Sequence, residues 1–176
     1  MDQISPYIYP GEEGSKLKPA SRYENFIGGD WKKPADGKYF ENISPTSGKV
    51  ICEIPRSNAK DVDAALDAAH KAAPAWGKTG PTERSNMLLK IADRIEQNAE
   101  MLALAETLDN GKPIREPTAA DIPLTVDHFR YFASAIRTQE GTIGNVDGSV
   151  SGGGNSPLGM MAYHYPEPLG LSLIHI

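Results

Sequence analysis

The chain has 176 residues, 39% of them hydrophobic, with two tryptophans and a formal charge of −5. That is enough apolar material for one folded unit, or for part of a larger one, and too much for a wholly disordered chain. Its 18 basic residues are scattered and outnumbered by 23 acidic ones, which argues against a nucleic-acid binder, and no apolar run is long enough to span a membrane.

Residues 1–20 mix Pro, Gly, Ser and charged residues without periodicity and read as a loose tail. They lack the basic start and apolar stretch of a secretory leader, so a cytoplasmic protein is expected. Asn25-Phe26-Ile27, Gly28-Gly29 and Asp30-Trp31 predict a hairpin closed by a two-glycine turn. Phe40 to Ile43, the turn-rich Ser44-Pro45-Thr46-Ser47-Gly48 and a strand over 49–54 predict a second hairpin. Val50, Cys52 and Ile54 share one face of that last strand.

Three helices are expected next. Asn58 caps the first, Asp61 lies in its opening turn, and Gly77 ends it. Pro81 opens the second, which is read as running to about Leu108 with Leu88, Ile91, Ile95 and Leu102 as its apolar face. Asp109-Asn110-Gly111 breaks it. Pro117 opens the third, which ends near Thr138 and is distorted by Pro123 close to its start. Residues 142–146 and 160–165 are expected as two strands joined by a Gly/Ser-rich loop over 148–159. A hairpin this isolated is marginal in water and needs partner strands from elsewhere.

The residues that invite a chemical role have plainer explanations. Cys52 is the sole thiol, but it sits inside a predicted strand with no cation or helix start nearby to lower its pKa. It reads as a small buried hydrophobe, and alone it forms no internal disulfide. His70, His128, His164 and His175 show no metal-ligand spacing. Gly152-Gly153-Gly154 lacks both the register of a dinucleotide loop and the Lys-Ser/Thr ending of a P-loop. No catalytic or cofactor-binding residue is assigned.

A series of segments nevertheless resembles the aldehyde dehydrogenase family. It begins with Asn25-Phe26-Ile27-Gly28-Gly29-Asp30-Trp31 and Asn42-Ile43-Ser44-Pro45-Thr46-Ser47-Gly48. Asp61-Val62-Asp63-Ala64-Ala65 and Ala75-Trp76 follow, then Glu106-Thr107-Leu108-Asp109-Asn110-Gly111-Lys112-Pro113. Arg130-Tyr131-Phe132-Ala133 and Glu167-Pro168-Leu169-Gly170 complete it. Their order and spacing carry the resemblance, which runs from about Tyr23 to Gly170. Glu83-Arg84-Ser85-Asn86 and Asp121-Ile122-Pro123-Leu124 resemble the branch acting on acetaldehyde and other short aldehydes.

The resemblance implies an α/β fold of which this is the helical N-terminal part with short hairpins. Residues 21–138 would open the cofactor-binding domain, 139–166 would form an oligomerisation hairpin, and 167–170 would begin the nucleotide-binding segment. The family's catalytic cysteine and glutamate, and its nucleotide sheet, are expected beyond Gly170. Residues 171–176, Leu-Ser-Leu-Ile-His-Ile, depart from the family and are what the transposon-end sequencing adapter CTGTCTCTTATACACATC encodes; a divergent apolar terminus is the alternative. Residues 148–159 are longer than the family pattern and read either as an insertion or as a misaligned stretch.

The resemblance also implies NAD or NADP as cofactor of the parent enzyme, none for this part, and an aldehyde as substrate. It implies a monovalent cation held by Asp109 and the Ile43 backbone, set against a purely structural turn at Asp109-Asn110-Gly111. Ala120 and Leu124 match positions lining a substrate channel, set against ordinary apolar helix positions. A homo-oligomer through 142–165 is expected. Two functions follow: an inactive N-terminal part of an aldehyde dehydrogenase, or a small non-catalytic protein that binds dehydrogenase subunits through that hairpin.

Overall fold

The computed structural model describes residue 10, residues 12–146 and residues 160–171. The loop at 148–159, the first nine residues and the end from 172 lie outside the described residues. So do all but the first residue of the adapter-like end.

Among the described residues, three antiparallel hairpins and four α-helices make up the α/β fold. Strands β1 (Asn25–Ile27) and β2 (Asp30–Lys32) pair Phe26 with Trp31 across Gly28 and Gly29. Both glycines take positive φ, +66° and +92°, as the twist of a two-residue hairpin requires. The rings of Phe26 and Trp31 lie 5.1 Å apart on an exposed face, while Ile27 points inward.

Strands β3 (Tyr39–Ile43) and β4 (Val50–Pro55) pair from Tyr39↔Pro55 to Asn42↔Cys52. The register then shifts, so that Ile43 faces Val50 and Ile51 is left over as a bulge. On β4 the inward face holds Cys52, which is buried, but Val50 at the bulged end is half exposed.

Helix α1 (Ala59–Gly77) begins at Asn58 as expected. The Asn58 side chain accepts from the Lys60 N–H, and Asp61 accepts from the Asn58 N–H at 2.9 Å. The other Asp61 oxygen accepts from the Ala35 N–H at 2.8 Å, so this buried carboxylate also ties the chain before β3 to the helix. Most of the helix is uncovered, with Val62 and Trp76 exposed.

The single helix expected from Pro81 to about Leu108 is two, α2 (Pro81–Gln97) and α3 (Ala99–Asn110). Asn98 breaks it. Its backbone leaves the helical region at φ −113° and ψ 15°, and its amide donates to the Arg94 carbonyl at 2.7 Å. An asparagine side chain competes in this way with the helical ladder. On α2 the expected face holds for Leu88 and Ile95, which are partly buried, and fails at Ile91. Ser85 and Ala92 are buried where α2 meets the fourth helix, and Ile91 is turned outward. Two helices crossing closely need small side chains at the contact, and Val126 and Ala133 lie buried on the partner.

That partner does not start at Pro117 as an α-helix. Residues Pro117–Asp121 form one π-helical turn, followed by α4 (Ile122–Ala135). The Ile122 N–H reaches back to the Pro117 carbonyl. Pro123 supplies no donor for a regular ladder, and the wide turn is how the chain absorbs it. The helix ends at Ala135, three residues short of Thr138, whose N–H and hydroxyl both donate to the Ala135 carbonyl. Arg130 on α4 clasps Glu96 at 2.6 Å and Asp93 at 3.2 Å on α2.

Strands β5 (Thr142–Val146) and β6 (Met160–His164) pair from Thr142↔His164 to Val146↔Met160. Ile143, Met161, Tyr163 and Tyr165 are more than 65% exposed. Residues 12–20, read from sequence as loose tail, lie against α3 through a Lys16–Glu100 ion pair.

Candidate functional site

The end of α3 and the β3–β4 hairpin form one joint. Gly111 caps the helix in the left-handed region at φ +79°, its N–H donating to the Thr107 carbonyl. A Cβ there would stand 3.0 Å from Pro45 Cγ, so the turn after β3 packs directly on the cap. Ser44, fully buried, donates to the Leu108 carbonyl at 2.7 Å and satisfies one of the helix's orphan acceptors. Asn42 Nδ2 donates to Asp109 Oδ1 at 2.6 Å.

Asp109 and the backbone at Ile43, the proposed cation ligands, are thereby brought to the same joint, with the bulge between Asn42 and Ile43 breaking the ladder beside them. One oxygen of Asp109 already accepts the Asn42 amide, so a bound cation must share that carboxylate or displace the amide. Among the described residues no three His, Cys, Asp or Glu side chains gather as a metal site. Backbone oxygens and one carboxylate suit a hard monovalent ion better than a transition metal. Asp109 also borders a hollow of about 430 Å³ shared with Leu17, Tyr23, Ile51 and Leu108.

Cys52 is 5% exposed. Burial pushes its thiol up from the ordinary value; a hydrogen bond from Asn42 opposes this and the Asp109 charge reinforces it. A thiol held neutral is a poor nucleophile, and its surroundings are those of a core residue.

Ala120 and Leu124 are both exposed, Ala120 on the π-helical turn and Leu124 one turn later on α4. A cleft of about 580 Å³ opens nearby between α2 and α4, lined by Glu96, Ala99, Ile122, Val126, Asp127 and Arg130 among others, but neither Ala120 nor Leu124 lines it. Both side chains face outward.

Sequence reading missed Lys112. Its ammonium lies 2.9 Å from Glu106 on α3 and 2.6 Å from Asp121, the last residue of the π-helical turn. The hydrogen bond to Asp121, then that to Glu106, raises its pKa well above the ordinary lysine range. Separations of six and nine residues across a broken helix fit no helical pairing rule, so nothing in the sequence singled it out. Ser44 was legible only as a turn residue.

Comparison with known proteins bears on this arrangement. Residues 31–174 match the model of the aldehyde dehydrogenase family. The chain is 57% identical over 165 residues to the long-chain-aldehyde dehydrogenase of Acinetobacter sp., covering 94% of this chain and 31% of that protein. It is 56% identical over 162 residues to the fluoroacetaldehyde dehydrogenase of Streptantibioticus cattleyicolor, covering 92% and 30%. It superposes on PnpE, an enzyme of Pseudomonas sp. solved in complex with nicotinamide adenine dinucleotide, at a TM-score of 0.69 with 40% identity, over 72% of this chain and 26% of that one. The chain thus spans less than a third of the length of the curated relatives it matches. Family match, identity and fold agree: the chain belongs to the aldehyde dehydrogenase family.

Proposed function

We propose that this chain is the N-terminal part of a cytosolic, NAD(P)-dependent aldehyde dehydrogenase and contributes scaffold, one channel wall and an assembly hairpin, with no catalytic group of its own. The carrying observation is the family match along residues 31–174 in a chain that spans only 31% of a relative such as the Acinetobacter enzyme. One relative solved with NAD supports a nicotinamide cofactor for the complete enzyme. In that enzyme a thiolate adds to the aldehyde carbon, hydride leaves that carbon for the oxidised nicotinamide, and water cleaves the thioester to carboxylate, releasing the thiol. Donors aimed at the tetrahedral oxyanion stabilise the adduct.

Within this scheme Ala120 and Leu124 form part of the aldehyde channel. A small side chain and one without branching at Cβ, both exposed, suit a narrow aliphatic substrate. Asp109 and the Ile43 carbonyl hold a monovalent cation that stiffens the joint between α3 and the β3–β4 hairpin. Strands β5 and β6 pair with a second subunit, supported by the exposed Ile143, Met161, Tyr163 and Tyr165. That exposure also favours the second reading, a small protein that binds dehydrogenase subunits through the hairpin. Sequencing intact DNA downstream of Gly170 separates the two. Family sequence there supports the enzyme part, and an authentic stop codon after Ile176 supports the binder.

A further inference from the structure

The π-helical turn carrying Ala120 packs against both α3 and α4. Prolines bracket it: Pro117, fully buried, opens it, and Pro123 follows two residues after it closes. Its internal closure is the Ile122 N–H to the Pro117 carbonyl, five residues back. Thr118 donates through its hydroxyl to the Ile114 carbonyl at 2.7 Å, and Thr125 to the Asp121 carbonyl at 2.7 Å. Such a turn can relax toward α-helical register by slipping one residue. A slip of one residue turns each side chain by about 100° around the axis, enough to swing Ala120 off the wall it shares with Leu124.

We propose that Lys112 is a positioning residue for the aldehyde channel, stapling this turn in the register that places Ala120 and Leu124. The inference rests on the reading of those two residues as channel wall. Lys112 bridges Glu106 near the end of α3 and Asp121 at the last position of the π-helical turn. The Asp121 carboxylate is held from outside the turn while its carbonyl accepts from Thr125 inside α4, so one residue is fixed from both directions. The three side chains are about a third exposed, and an ion pair in that setting stabilises the fold little. Its effect is to hold the turn in the register that the Ile122-to-Pro117 bond closes. Without the ammonium, Glu106 and Asp121 are left as facing carboxylates within reach of one point, and their repulsion drives the turn away.

The test uses a complete enzyme, residues 1–170 joined to the remaining two-thirds of the Acinetobacter relative, assayed by NADH production on aldehydes from acetaldehyde to hexanal. Lys112→Met is expected to raise KM for acetaldehyde about tenfold and shift the hexanal-to-acetaldehyde kcat/KM ratio about tenfold, with kcat changed less than about twofold. Lys112→Arg, which can fork to both carboxylates, is expected to restore both values. Asp121→Asn, losing one arm, should shift the ratio in the same direction by less, and it serves if Lys112→Met fails to fold. Ala120→Trp and Leu124→Trp report on the channel itself. If they move the ratio and Lys112→Met and Asp121→Asn do not, the staple is wrong although the channel reading stands. If neither tryptophan moves it, the channel reading fails and the proposal falls with it. A uniform loss of kcat without a change in ratio would assign Lys112 a purely structural part and also overturn the proposal.

Discussion

Replacing Gly111 by alanine probes the joint on which the candidate cation site is built. The helix cap takes φ +79°, where an added Cβ has two costs. The left-handed region itself costs a non-glycine residue about 1–2 kcal/mol. Loss of glycine's freedom in the unfolded chain returns about 0.4–1 kcal/mol of that. The new methyl group would also stand 3.0 Å from Pro45 Cγ, tighter than ordinary contact, and displacing a packed ring adds about 1 kcal/mol. The expected net loss is about 2 kcal/mol, or about 4–8 °C in melting temperature for a chain of this size. Thermal unfolding followed by far-ultraviolet circular dichroism measures it. Gly111→Asn, which tolerates the left-handed region but keeps the contact, should lose about half as much. Pro45→Ala in the Gly111→Ala background should recover the contact cost alone. A Gly111→Ala chain that melts within 1 °C of the parent, about a quarter of the smallest shift expected, would refute the reasoning. So would a double variant no better than the single one.

Cys52 gives a pH signature. Burial raises its folded pKa above the ordinary value of 9.0, so the folded state holds the proton more tightly. The associated stability is fully present below the ordinary value and is lost as pH rises from there through the raised folded value; Cys52→Ala should flatten the alkaline fall in melting temperature, and an unchanged slope would count against a buried neutral thiol. For the cation, replacing tetramethylammonium with potassium at constant ionic strength should raise the melting temperature of the wild type and not of Asp109→Ala; equal responses in both would remove Asp109 from the site. For assembly, Tyr163→Pro in the complete enzyme deletes a backbone donor from β6; dissociation into folded subunits is expected, and an unaltered oligomeric mass by light scattering would reject the interface.

Local chemistry made much of this fold legible. Asn58, Asp61 and Gly77 bound α1 where the sequence places them, and Gly28-Gly29 and Gly111 take the positive φ their turns require. The misses came where tertiary contact decides. Nothing in the apolar spacing of 81–108 shows that the Asn98 amide turns back on the Arg94 carbonyl. Ile91 and Ala92 are equally apolar in sequence, and the close crossing with α4 buries the smaller one. Pro123 announced a distortion but not its form, because the spacing does not show that the Ile122 N–H reaches back five residues to the Pro117 carbonyl. The Asn42–Asp109 bond spans 67 residues and joins a bulged strand to a helix end, a meeting only the folded chain reveals.

The proposed division of labour gives this chain part of the structure of an aldehyde dehydrogenase and none of its chemistry. It is tested most directly by measuring NADH formation from acetaldehyde with two proteins side by side: the 176-residue chain alone, and residues 1–170 joined to the remaining two-thirds of the Acinetobacter relative. Turnover is expected from the joined protein, and none above a no-protein blank from the chain alone. Turnover by the chain alone that disappears in Cys52→Ala, or a joined protein that folds and assembles yet forms no NADH, would contradict it.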